Sequence, residues 1–153
     1  MPFSLPTTQQ RLCVIGRTGS GKTRLGAWVL SHAPYDRMPY VIVDYKGERL
    51  FDKVKRLRDI TYSTVPKEPG LYRINPREDE AEEMEAWLWK VHRRGRTGLF
   101  FDETMQVPGH YRAGAFRAIL AQGRSKHIPC ILCTQRPSGV SPSVFSEADH
   151  FAI

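Results

Sequence analysis

Leu12-Cys13-Val14-Ile15-Gly16-Arg17-Thr18-Gly19-Ser20-Gly21-Lys22-Thr23 reads as a short apolar strand that runs straight into a glycine-rich turn, with helix-forming sequence behind it. Glycines at 16, 19 and 21 let the backbone take positive dihedrals and approach an anion closely, so that successive N–H groups and a helix N-terminus face it. Lys22 adds a mobile cation suited to β- and γ-phosphates, and Thr23 a hydroxyl suited to Mg2+. Gly16, Arg17, Thr18, Gly19, Ser20, Gly21, Lys22 and Thr23 are therefore candidates to hold the phosphates of a nucleoside triphosphate. The bland alternative is a glycine-rich turn with a solvated lysine; a strand before and a helix after weigh against it.

Outward from this loop, short apolar runs alternate with helical stretches, the pattern of a mostly parallel α/β sheet wrapped by helices. Strands are predicted over Arg11–Ile15, Tyr40–Asp44, Leu71–Ile74, Gly98–Asp102 and Ile128–Thr134, with His150–Ile153 as a further candidate and a short one near Ile60–Ser63. Helices are predicted from Lys22 to about His32, burying Leu25, Trp28 and Val29 before Pro34, and over Tyr111–Gln122 with Gly123 at the end. The clearest helix lies between Asn75 and Gly95, where Ala81, Met84, Leu88 and Val91 share a face; Asn75 suits its cap, Pro76 its first position and Glu78 a capping box. Its early acids and late bases oppose the helix dipole, a structural reason for both charge runs. The chain divides into an N-terminal arm, 1–10, and one domain, 11–153.

Leu99-Phe100-Phe101-Asp102-Glu103 is an apolar strand that delivers two carboxylates to its C-terminal end, where ligands gather in open parallel sheets. There Asp102 would hold the metal shell with Thr23, and Glu103 would polarise an attacking water as general base. A strand ending in two acids is also a common turn signal. Ile131 to Pro137 carries Gln135 just beyond another buried run, placed to sense a γ-phosphate or position water; a strand ending before a proline turn is the plainer reading.

Thr134-Gln135-Arg136-Pro137-Ser138, with Gly123-Arg124 before it and the two Walker-type motifs, resembles the FtsK/HerA class of DNA-pumping ATPases, which includes compact viral genome-packaging motors. Asp44-Tyr45-Lys46-Gly47-Glu48 is similar to that class's acidic-lysine-glycine segment. The resemblance runs from Arg11 to Ile153. It implies a RecA-like (ASCE) P-loop NTPase fold, ATP and Mg2+ as cofactors, a homo-oligomeric ring, hexameric in this class, double-stranded DNA in its channel, and a capsid portal or vertex protein as a further partner. By position it also implies that Arg124 reaches a neighbouring subunit's site, with Arg136 as runner-up; a guanidinium supplied in trans stabilises charge on a transferring phosphoryl group. Catalytic residues are then Lys22, Glu103, Gln135 and Arg124. The chain departs from the larger cellular members in having no evident winged-helix module or N-terminal barrel. Met105–Arg112 and Lys46 are candidate DNA-facing positions, beside ordinary loop readings.

Composition bounds these readings. With 153 residues, 41% of them apolar, the chain buries a core of about one domain. The net charge of +7 favours a polyanionic partner, although basic surfaces are often merely solvated. No run approaches the roughly 18 apolar residues of a bilayer span, and the start lacks a secretory pattern, so a cytoplasmic protein is expected, in host cytoplasm or virion-associated if viral. Cys130 and Cys133 form a CxxC, but an odd spacing on a strand sends the thiols to opposite faces, against a shared metal. The five histidines show no ligand spacing. Other tasks for such a site are a plasmid-transfer or DNA-repair translocase, a small-molecule kinase, or a slow nucleotide-dependent binding module.

Overall fold

The computed structural model describes residues 4–109 and 113–153. Seven strands pair in parallel: β1 (Arg11–Ile15), β2 (Pro39–Val43), β3 (Arg58–Asp59), β4 (Gly70–Ile74), β5 (Gly98–Phe101), β6 (Cys130–Thr134) and β7 (His150–Ala152), in spatial order β3-β4-β2-β5-β6-β1-β7. The helices are α1 (Lys22–Ser31), α2 (Arg49–Asp52), α3 (Ala81–Arg94), α4 (Ala115–Lys126) and α5 (Pro142–Ser146). The central strands are buried on both faces, which is why they read as unbroken apolar runs rather than alternating ones.

Alternate residues feed two cores. Cys13, Val41, Val43, Leu99, Phe101, Cys130 and Leu132 point to one face and pack with Met84, Trp87, Leu88 and Val91 of α3 and Phe116, Ile119 and Leu120 of α4. Leu12, Val14, Tyr40, Ile42, Phe100, Ile131 and Cys133 point to the other, against Val29 and Leu30 of α1 and Phe51 of α2. The two thiols of the CxxC thus lie in different cores, as the odd spacing requires, and burial pushes the Cys130 thiol up to about 12.

Several local expectations are corrected. The short strand is Arg58–Asp59, not Ile60–Ser63, because β3 pairs only through Tyr72 and Arg73 of β4 and holds Arg73 by an Asp59 ion pair. Leu25 and Trp28 are exposed at 37% and 49%; α1 turns Gly26, Val29 and Leu30 to the sheet instead. Ala81 is exposed, and Trp87 takes a buried place on α3, its indole N–H donating to the Thr64 carbonyl at 2.8 Å. α3 also begins later than Asn75: a 3-10 turn at Glu78–Glu80 precedes it, and the reaching carboxylate is Glu80, which accepts from Arg77 N at 3.0 Å. α4 continues past Gly123 to Lys126, where His127 turns left-handed at φ 54 and Ile128 N returns to the Gly123 carbonyl. Tyr111 and Arg112 lie outside the described residues.

Leu5, from residues 1–10, packs on the core beneath α1, and Thr8 and Gln9 approach the His127 ring at 3.5 Å. Among the described residues no helix is long and apolar enough to cross a membrane.

Candidate active site

Every strand ends on one rim of the sheet, because all pairings are parallel, and the motifs that follow β1, β2, β5 and β6 converge there. The loop after β1 is tied down by Gly16 N, which donates to the Thr134 carbonyl at 3.2 Å, and by Ser20 N, which donates to Arg17 at 3.1 Å. Gly19 and Gly21 adopt φ of 78 and 91, a region that other residues enter at a cost. No side chain caps the first turn of α1 and no acid stands in it, so its N–H groups are free for an anion. Lys22 is buried and folds its ammonium onto the Arg17 carbonyl at 3.0 Å.

Thr23 and Asp102 meet: the hydroxyl donates to Asp102 Oδ1 at 3.4 Å. Asp102 Oδ2 is buried without a partner, the mark of a carboxylate shaped for something more than Thr23. Burial is the main force raising its pKa to about 6; Asp44 and Glu48 add to the rise, while Lys46 and the Thr23 hydrogen bond oppose it. Glu103, 7% exposed, accepts from Gln135 Nε2 at 3.2 Å, and Gln135 Oε1 accepts from the Thr18 hydroxyl at 2.9 Å. A chain of hydrogen bonds therefore joins the phosphate loop to the acidic pair through Gln135. A cleft of about 440 Å3 opens here, lined by Thr18, Gly19, Gly21, Lys22, Thr23, Arg24, Lys46, Glu48 and Gln135. A larger cleft, about 820 Å3, opens between Tyr35, Val54–Arg58 and Leu71, at the strands' opposite ends, and contains none of these groups.

This set fits a triphosphate with Mg2+. Mg2+ keeps several waters and takes one or two protein oxygens plus substrate phosphates, so a hydroxyl, one carboxylate and no cage of three acidic or imidazole ligands is its usual setting. Among the described residues no group of three such ligands occurs anywhere.

The structure also places three further residues of the sequence reading. Lys46, a candidate DNA-facing position, turns into the cleft, its ammonium 3.2 Å from Glu103 Oε2. The signal was its position directly after a buried strand of a parallel sheet, the same signal that placed Asp102. Arg124 closes α4 beside the start of β6, the rim opposite the cleft; it is 63% exposed and its guanidinium donates to Asp149. It therefore does not meet this chain's own phosphate loop. Arg136, exposed, follows Gln135 on the cleft side. Of the segment Met105–Arg112, Met105 packs against the main core and residues 110–112 are not described.

No protein-family profile matches the chain. The DNA packaging ATPase P9 of Enterobacteria phage PRD1 is 37% identical over 154 residues, an alignment that covers 100% of this chain and 67% of the relative. The chain belongs to the family of viral DNA-packaging ATPases. Its fold agrees: the genome packaging NTPase B204 of Sulfolobus turreted icosahedral virus 2, solved with ATP-gammaS, superposes at a TM-score of 0.67 with 23% identity, covering 94% of this chain and 73% of that one. The DNA-packaging ATPase B204 of Sulfolobus Turreted Icosahedral Virus gives 0.61 with 24% identity, over 92% and 73%. This member of the packaging-ATPase family is thus an α/β P-loop NTPase whose cleft unites the loop after β1 with the ends of β2, β5 and β6.

Proposed function

We propose that the protein hydrolyses ATP and uses the energy to drive double-stranded DNA into a viral capsid. One observation carries the catalytic part: Thr23, Asp102, Glu103 and Gln135, from three separate strand ends, come together on one phosphate-binding loop. Family membership carries the DNA part.

In this reading the loop amides, the α1 N-terminus and Lys22 bind the β- and γ-phosphates, giving up the contact with the Arg17 carbonyl. Thr23 and Asp102 would hold Mg2+, which when bound would supply charge neutralisation. Glu103 accepts a proton from the attacking water, and Gln135 holds both Glu103 and that water in line with the γ-phosphorus. An FtsK/HerA-type ring, hexameric, would let an arginine from the adjacent subunit complete the charge balance. Arg124, through its free edge and its small loss on leaving Asp149, and Arg136, from the cleft rim, are the two arginines proposed for that role. A capsid portal or vertex protein would receive the ring, in host cytoplasm or on the virion.

ATPase rate measured with and without duplex DNA tests the whole. Stimulation by DNA is expected; hydrolysis indifferent to DNA would separate the enzyme from the motor, and no hydrolysis under either condition would end the reading.

A further inference from the structure

Lys46, a cation lining the cleft, has no part in that scheme. Lys46 is held by a built turn: the Asp44 carboxylate, buried, accepts from Glu48 N with both oxygens at 3.1 Å, Gly47 bends at φ 65, and Tyr45 packs against the main core. The turn leaves the Lys46 side chain 32% exposed over the cleft, with its ammonium 3.2 Å from Glu103 Oε2. That same oxygen accepts from Gln135, while Glu103 Oε1 is buried without a partner. With an ammonium and an amide both on that outer oxygen, its two acceptor positions are taken and a water has no place on it. Lys46 also lines the cleft with Thr18, Gly21 and Lys22, the groups that face a triphosphate.

We propose that Lys46 recognises the terminal phosphate of ATP and that, in moving to it, it releases Glu103 to act as base. The flexible four-carbon stem allows the ammonium to exchange partners without movement of the turn. A γ-phosphate carries more charge than one carboxylate and offers more oxygens, so it draws the ammonium when present and leaves it on Glu103 when absent. ADP, lacking that group, leaves the pair closed. The assignment rests on the hydrolytic reading of Glu103, and it names a residue that distinguishes triphosphate from diphosphate.

The test uses the full chain and two probes, the non-hydrolysable analogue AMPPCP and ADP, each titrated with Mg2+ present. Lys46→Ala should weaken AMPPCP about tenfold, the loss of one charge-assisted hydrogen bond, and change ADP by less than about twofold. Lys46→Met, which keeps the stem and removes the charge, should weaken AMPPCP as much as Lys46→Ala does, which a purely structural role of the stem would not explain. Glu103→Gln should tighten AMPPCP by removing the competing charge, and this gain should vanish when combined with Lys46→Ala. Equal losses for AMPPCP and ADP, or a Glu103→Gln effect that persists without Lys46, would overturn the proposal. If Glu103→Gln retains full turnover, the hydrolytic reading fails on its own, and the AMPPCP-to-ADP ratio still decides what Lys46 recognises.

Discussion

At the scale of single residues the site is a set of charges kept in wait. Lys22 rests on its own loop and Glu103 on Gln135, so removing one or the other should act on different quantities. Lys22→Ala should lose ATP affinity, by roughly 10- to 100-fold for a charge-assisted contact, whereas Glu103→Gln should bind ATP and lose turnover by about 100-fold or more. Equilibrium titration beside steady-state kinetics reads both. Asp102 gives a pH signature. Its pKa is raised from 3.8 to about 6 in the fold, chiefly by burial, so the folded state disfavours its charge: its cost is absent below pH ~3.8 and grows as pH rises through 6. In metal-free buffer Asp102→Asn should therefore raise the melting temperature at pH 8, by about 1–3 kcal/mol of stability at most, and leave it unchanged near pH 3.5. Thermal melts in a chelator at the two pH values make the comparison.

At the scale of elements, two attachments matter. α1 lies so close to the sheet that a Cβ on Gly26 would meet the Phe100 ring at 2.5 Å and the Cys133 sulfur at 3.3 Å. Gly26→Ala should cost about 1–3 kcal/mol, because an interior already packed must shift, and the helix that carries Lys22 and Thr23 would shift with it. Denaturant melts and ATP titration should move together. At the opposite rim, β7 is fastened through Asp149, which accepts from Arg11 N at 2.9 Å and faces the buried Arg11 guanidinium at 3.6 Å as well as Arg124. Asp149→Ala should cost roughly 3–5 kcal/mol by leaving Arg11 buried and without that charge, while Arg124→Ala, on an exposed partner, should cost under about 1 kcal/mol. A fall in ATPase rate in the Arg124 variant with its melting temperature preserved would then speak for a role between subunits.

At the scale of the molecule, a site completed by a neighbour makes specific activity rise with protein concentration, and a flat series would remove the trans arginine. DNA binding through the excess of cations should fall steeply with salt, since phosphate contacts release counterions. The sequence by itself determined the phosphate loop, the five strands β1, β2, β4, β5 and β6 to within two residues at either end, and the convergence of Asp102, Glu103 and Gln135, because each rests on a local signal: glycine spacing, apolar runs buried on both faces, and the single rim on which parallel strands end. Arg58–Asp59 escaped it because a two-residue, exposed edge strand has no apolar pattern to read. The face of α1 escaped it because Leu25 and Trp28 keep helical spacing whether or not anything covers them. Only the tertiary structure decided that Lys46 belongs to Glu103 and Arg124 to Asp149, since an ion pair depends on which distant strand ends share a rim, and no spacing along the chain records that distance.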